Sequence, residues 1–109
     1  MMARLAVDSG VTAVAATPHC NVPGQFENVC SETLRRRFLR LHELLREQEI
    51  PLKLYTGMEV YMTPEVPRLL RQGKLLTLGG SRYLLVEFGF DESRQSAQRM
   101  LDALRGEGV

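Results

Sequence analysis

Three side chains able to bind a metal ion, His19, Glu59 and Glu87, come at the ends of apolar segments of this 109-residue chain. Groups at the carboxyl ends of neighbouring parallel strands meet at one edge of the sheet. An imidazole and two carboxylates suit a divalent cation such as Mn, Fe or Zn. A carboxylate there is costly to bury unless it is paired or coordinated. The alternative is that both glutamates cap helices or pair with arginines, and the pattern alone leaves both interpretations open.

Each of these residues lies at or near the end of a predicted strand. Residues 11–17 are small or β-branched and uncharged, which is typical of a strand buried on both faces. Pro18 cannot donate to a ladder, so we expect it to end this strand and to present His19. Two more strands are predicted over residues 52–61 and 83–88, with a glutamate near the far end of each.

Helical patterns alternate with these strands. The clearest begins at Ser31 and carries one apolar stripe of Leu34, Phe38, Leu41 and Leu45. We predict helices over residues 1–9, 31–48 and 64–72, with Thr63 as a cap and Leu69 and Leu70 buried, and a last one from Asp91 or Ser93 to Gly106. Three repeated βα units predict an α/β fold with parallel strands, the 52–61 strand lying between the other two.

Composition excludes several functions. The net charge is +1, so no strongly basic face indicates nucleic-acid binding, and the cluster of Arg35, Arg36, Arg37 and Arg40 is interpreted as a solvated helix face. No apolar run approaches the ~20 residues of a membrane span, and no signal peptide is expected. Cys20 and Cys30 are interpreted as reduced thiols of a cytoplasmic protein, although Cys20 could touch whatever His19 binds.

Four motifs in order carry a family resemblance. They are Thr17-Pro18-His19 after a Val/Ala strand, Gly-Met-Glu-Val-Tyr at 57–61, Gly-Lys-Leu-Leu-Thr-Leu at 73–78 and Tyr-Leu-Leu-Val-Glu-Phe at 83–88. In order and spacing the chain resembles, over essentially its whole length, the bacterial capsular-polysaccharide tyrosine phosphatases. These enzymes belong to the polymerase and histidinol phosphatase (PHP) superfamily.

The resemblance implies a distorted β/α barrel with three metal ions, usually manganese, at the carboxyl ends of its strands. It implies hydrolysis of phosphotyrosine on a tyrosine autokinase that controls exopolysaccharide export and capsule synthesis. By position, His19 would ligate one metal, Glu59 would bridge the other two and Glu87 would complete one of those. Clustered cations of this kind activate water and neutralise phosphoryl oxygens during in-line attack.

The chain also departs from the family pattern. The family's Asp-x-His-x-His strand would lie before Met1 and its Ala-His-Pro-Glu-Arg strand after Val109, and the late Asp-x-His pair is absent. Cys20 stands where a second histidine often follows, and Gly89 where proline is common. We therefore expect residues 1–109 to form a single partial PHP-type domain, truncated at both ends. Such a fragment should be incompetent alone and prone to self-association through exposed sheet edges.

Two other functions stay open at this point. One is a PHP phosphoesterase that acts on a small phosphorylated metabolite. The other is a non-catalytic α/β fragment or interaction module, in which His19, Glu59 and Glu87 are structural. His42, within a charged helix, is interpreted as a surface or half-buried structural residue.

Overall fold

A computed structural model describes residues 2–24 and 31–109 of the chain. Helices and short strands alternate through these residues, so the predicted α/β class is confirmed. The elements are α1 (Met2–Asp8), β1 (Ala13–Ala16), β2 (His19–Cys20), α2 (Glu32–Glu47), β3 (Lys53–Thr56), β4 (Glu59–Tyr61), α3 (Val66–Arg71), a 3-10 turn (Leu78–Gly80), β5 (Leu85–Glu87) and α4 (Arg94–Arg105).

The strands form two small sheets in which every described pairing is parallel. One sheet pairs β1 with β3, and the other has the order β2-β4-β5. The 52–61 segment supplies β3 and β4, and β4 lies between β2 and β5. The predicted strand order is therefore confirmed.

The predicted 52–61 strand is broken at residues 57–58 into β3 and β4. A similar break at residues 17–18 separates β1 from β2, a short strand that the sequence analysis did not predict. Pro18 has no N–H to continue the ladder, which explains the break between β1 and β2. Its carbonyl nevertheless accepts a hydrogen bond from the Glu59 N–H at 3.0 Å, and pairing resumes at His19. The prediction that the first strand ends at Pro18 is confirmed, since β1 stops at Ala16 and His19 begins a separate segment in the other sheet.

Gly57 lies at the break between β3 and β4, where it is buried next to Thr17 at the break between β1 and β2. A Cβ at this position would lie 2.9 Å from Leu78 Cδ2 and 3.3 Å from Thr17 Cγ2. Glycine therefore allows the two broken strands to approach closely where their ladder is interrupted.

The prediction that the first strand is buried on both faces is wrong. Ala13 and Ala15 are exposed, whereas Val14 and Ala16 are half-buried. One face of β1 is open to solvent in the described part of the chain, so the small side chains of this strand do not indicate two-sided burial.

The buried side chains form two cores, both of which contact α2. The larger core includes one face of the β2-β4-β5 sheet, together with Leu34 and Phe38 from α2. The smaller core consists of Leu45, Ile50 and Leu54, and half-buried Ala16 packs against both cores. The predicted apolar stripe of α2 thus contributes side chains to both cores.

The helix starts follow local hydrogen bonds. Ser31 caps α2 by accepting from the Leu34 N–H at 3.2 Å, and Ser93, of the two predicted candidates, caps α4 by accepting from the Ser96 N–H at 3.1 Å. The predicted Thr63 cap is wrong: α3 begins at Val66, and the Thr63 hydroxyl accepts a bond from Asn21 instead. Within α3, Leu69 is buried but Leu70 is only half-buried.

Several large apolar side chains are exposed, among them Phe90, Met2, Tyr83 and Leu5. The radius of gyration of the Cα atoms is 15.7 Å, against about 13 Å expected for a compact domain of this length. Exposed apolar surface of this kind supports the expectation of self-association, which stays a prediction. Among the described residues, no helix is both long enough and apolar enough to cross a membrane.

Candidate metal centre

The three predicted metal ligands lie on one face of the β2-β4-β5 sheet. His19 is the register partner of Glu59, and Glu87 is the partner of Tyr61, two residues beyond Glu59. Register partners point to the same side of a sheet, as do residues two apart on a strand. The chain thus brings together an imidazole and two carboxylates that lie far apart in sequence.

The opposite face of this sheet belongs to the core. Cys20 pairs with Val60, and both side chains are fully buried. Although Cys20 follows His19 directly, alternation along β2 turns its thiol away from the three ligands. The suggestion that Cys20 touches whatever His19 binds is therefore wrong. Cys30 lies outside the described residues.

The distances within the group suit a cation. One ligand atom from each of His19, Glu59 and Glu87 can be chosen so that all three lie within 4.8 Å of one another. The His19 Nδ1 atom lies 3.6 Å from Glu59 Oε2. Two donors on one cation, each about 2.1 Å from it, are about 3 to 3.5 Å apart. The residues therefore fit a Mn, Fe or Zn ion after small side-chain rotations.

This group has no equivalent elsewhere in the described residues: no other set of three or more histidines, cysteines and carboxylates lies close enough to hold an ion. The His19 and Glu59 side chains are 49% and 30% exposed, so the group is open to solvent on one side.

The alternative roles of the two glutamates find no support in the described part of the chain. The arginines that form ion pairs there do so with other carboxylates, such as Arg68 with Glu65 at 3.3 Å and Arg71 with Glu107 at 3.2 Å. Neither Glu59 nor Glu87 caps a described helix. The interpretation of both glutamates as helix caps or arginine partners is therefore wrong for these residues.

The family of the chain follows from comparison with known proteins. The whole of residues 1–109 matches a family model described as capsular polysaccharide synthesis, CpsB/CapC. The chain belongs to this family. The predicted resemblance is confirmed over the full length.

Two relatives of the CpsB/CapC chain are named tyrosine-protein phosphatases. YwqE of Bacillus subtilis is 34% identical over 107 residues, which cover 98% of this chain and 41% of YwqE. CpsB of Streptococcus pneumoniae is 32% identical over 84 residues, which cover 77% of this chain and 34% of CpsB. This chain thus spans about two fifths or less of the length of these relatives.

A solved structure supports the same fold. It comes from the crystal structures of YwqE and CpsB, which are described there as unique metal-dependent tyrosine phosphatases. The match has a TM-score of 0.84 and 32% sequence identity, and it covers 99% of this chain and 43% of that chain. The PHP-type α/β fold expected from the resemblance is confirmed.

The basic cluster of this CpsB/CapC chain lies on the outside of α2. All four of its arginines are exposed, and two of them pair with glutamates on the same helix, Arg36 with Glu32 and Arg40 with Glu43, both at 3.4 Å. His42 on the same helix is exposed as well. These observations support the interpretation of this surface as a solvated helix face.

One residue at the site was missed by sequence reasoning. Asn21 follows β2 directly, has a φ of 62° and donates from Nδ2 to the Tyr61 carbonyl at 2.9 Å and to Thr63 Oγ1 at 3.0 Å. Asparagine adopts this left-handed conformation more readily than most residues. That preference predicts a turn, but it does not reveal bonds to residues some 40 positions later.

Gly89, where proline is common in the family, lies against a side chain of the ligand face. A Cβ at Gly89 would lie 2.6 Å from the Tyr61 hydroxyl oxygen and 3.0 Å from Asp91 Oδ1. We expect Gly89→Ala to displace the Tyr61 ring and to lower the free energy of unfolding by about 1 kcal/mol, since overpacking outweighs the entropy gain of alanine.

The Tyr61→Phe variant tests this expectation in a double-mutant cycle measured by urea unfolding. The Tyr61 Cζ atom lies 3.6 Å from the same Cβ position, which is ordinary contact, so Gly89→Ala should cost less in the phenylalanine background, where only the 3.0 Å contact with Asp91 Oδ1 remains tight. Equal effects of Gly89→Ala in both backgrounds would show that the hydroxyl contact is not the cause.

Proposed function

We propose that this chain supplies the central part of the metal centre of a metal-dependent protein-tyrosine phosphatase. The observation that carries the proposal is the convergence of His19, Glu59 and Glu87 on one sheet face, with ligand atoms within 4.8 Å, in a chain of the CpsB/CapC family. The names of the relatives YwqE and CpsB support phosphotyrosine as the group whose phosphate ester bond is hydrolysed.

The three residues would each contribute a different donor to the cations. His19 on β2 would offer a ring nitrogen, and Glu59 on the central strand β4, which lies beside it, would offer its two carboxylate oxygens. Glu87 on β5 adds a carboxylate from the other side of β4. The negative charges of the two glutamates favour cation binding on this face.

A bound cluster of divalent cations supplies Lewis acidity toward the phosphoryl group and lowers the pKa of a water molecule. The chain's own part is to hold its ligands in fixed positions on paired strands, so that little reorganisation is needed during the reaction.

We further propose manganese as the metal, and a cytoplasmic tyrosine autokinase of exopolysaccharide synthesis as the phosphorylated partner. The family description, capsular polysaccharide synthesis, supports the second of these assignments. The mixed nitrogen and oxygen donor set is compatible with manganese.

A chimera tests the proposed function. The segment of YwqE that aligns with this chain would be replaced by residues 1–109, since the alignment covers 98% of the chain. We expect saturable hydrolysis of a phosphotyrosine peptide that depends on added Mn²⁺ and is lost in a His19→Ala variant. The isolated chain should bind Mn²⁺ weakly and show no saturable turnover, because three donors fall short of the about four to six that one cation prefers.

Other outcomes would contradict the proposal. A folded, Mn-loaded chimera that hydrolyses a small sugar phosphate but no phosphotyrosine peptide would favour the metabolite phosphoesterase. A chimera that binds no metal and turns over neither substrate, with a native-like circular dichroism spectrum, would favour the non-catalytic module.

A further inference from the structure

The sheet ladder between β2 and β4 stops abruptly beside the proposed metal ligands. β2 has only two residues, and its pairs with β4 are His19 with Glu59 and Cys20 with Val60. The next pair would join Asn21 to Tyr61, but Asn21 lies outside the strand and has a φ of 62°, which a β-strand does not adopt. The strand that carries His19 therefore has very little ladder of its own.

The side chain of Asn21 takes the place of the missing pair. Its amide nitrogen donates to the Tyr61 carbonyl at 2.9 Å and to Thr63 Oγ1 at 3.0 Å. A backbone carbonyl can only accept, so this contact fixes which end of the amide is nitrogen. The end of β2 is thus tied to the end of β4 by a half-buried side chain.

We propose that Asn21 is a positioning residue for the metal centre. Among the described strands β4 alone pairs with β2, so the distance of 3.6 Å between His19 Nδ1 and Glu59 Oε2 depends on how firmly these two segments are joined. Through its hydrogen bonds to the Tyr61 carbonyl and to Thr63, the Asn21 amide links the two segments at a point two residues from His19. Without it, only the two register pairs and the bond from the Glu59 N–H to the Pro18 carbonyl join β2 to β4 in the described part of the chain, so the distance between His19 and Glu59 is less firmly fixed.

The inference rests on the proposed metal centre, and a Mn²⁺ titration of the chain, followed by the EPR signal of free Mn²⁺, separates the two. Asn21→Gly keeps the left-handed backbone accessible and removes only the amide. We expect it to raise the Mn²⁺ dissociation constant roughly 10-fold, the scale on which outer-shell partners affect metal affinity.

A matched control separates positioning from general loss of stability. Ser93→Ala removes the bond from the Ser96 N–H to the cap of α4 and should cost about 1 kcal/mol of stability. Ser93 does not contact the ligands through any described bond of its side chain, so we expect the Mn²⁺ dissociation constant to stay within about twofold of wild type.

A second variant covers the case in which Asn21→Gly does not fold. Thr63→Val keeps the shape of the residue but removes one of the two acceptors of Asn21. It should raise the dissociation constant by roughly two- to fivefold, the equivalent of one ordinary hydrogen bond.

Wild-type Mn²⁺ affinity in folded Asn21→Gly, or in Thr63→Val if the first variant is unfolded, would overturn the positioning role and leave the metal centre standing. A wild-type chain whose Mn²⁺ binding does not depend on Glu59 would overturn both.

Discussion

Replacing Glu59 by glutamine is expected to abolish specific Mn²⁺ binding while the fold is retained. Glutamine keeps the shape of the side chain but removes the charge that holds a cation. Glu59 lies on the central strand of the ligand sheet and is 3.6 Å from His19, so no other described residue can replace it. The loss of affinity should exceed the roughly 10- to 100-fold effect of losing an outer-shell partner.

Two measurements check this expectation. In the YwqE chimera carrying Glu59→Gln, elemental analysis and Mn²⁺ titration should show lost occupancy, and nearly all phosphotyrosine hydrolysis should be lost. Glu43→Gln removes the same charge from the exposed face of α2, where Glu43 pairs with Arg40, and should leave metal content unchanged. His42→Ala on the same helix is a second control. Full metal content in an active Glu59→Gln protein would remove the role assigned to Glu59.

Replacing Met58 by alanine is expected to cause the largest loss of stability among single truncations considered for this chain. Met58 lies at the break between β3 and β4, is fully buried in the larger core and accepts a bond from the Leu76 N–H at its sulfur, at 3.4 Å. Truncation should lower the free energy of unfolding by about 2 to 5 kcal/mol. That is a large part of the roughly 5 to 15 kcal/mol typical of a domain.

Urea unfolding followed by circular dichroism measures this effect. Met2→Ala is the matched control, because Met2 is 83% exposed and its truncation should change the midpoint little. An unfolding midpoint for Met58→Ala equal to that of wild type would show that the larger core does not depend on this side chain.

Much of this fold could be predicted from the pattern of apolar residues and from the residues that begin or end helices and strands. Ser31 and Ser93 identified two helix starts because their side chains act within the next turn. The three metal-ligand candidates could be identified because each is an ionisable residue at or near the end of an otherwise apolar strand. Their convergence required the parallel order of the strands, which right-handed βα connections dictate.

What could not be predicted depends on partners distant in the chain. The face on which Cys20 lies is set by register, and register is decided by the pairing of β2 with β4. The failure of Thr63 as a cap has the same origin, since its hydroxyl is engaged by Asn21, a residue 42 positions earlier. The exposure of Ala13 and Ala15 depends on what covers the sheet, which residue type does not encode.

The breaks between β1 and β2 and between β3 and β4 divide the strands into two regions, each with its own hydrophobic core. The β1-β3 region is stabilised by the smaller core, the ligand sheet by the larger one, and half-buried Ala16 contacts both. Local unfolding commonly follows such divisions, because each region has its own opening free energy. We expect the β1-β3 region, with its smaller core, to open at a lower free energy than the ligand sheet, and a cation bound by His19, Glu59 and Glu87 to increase that difference.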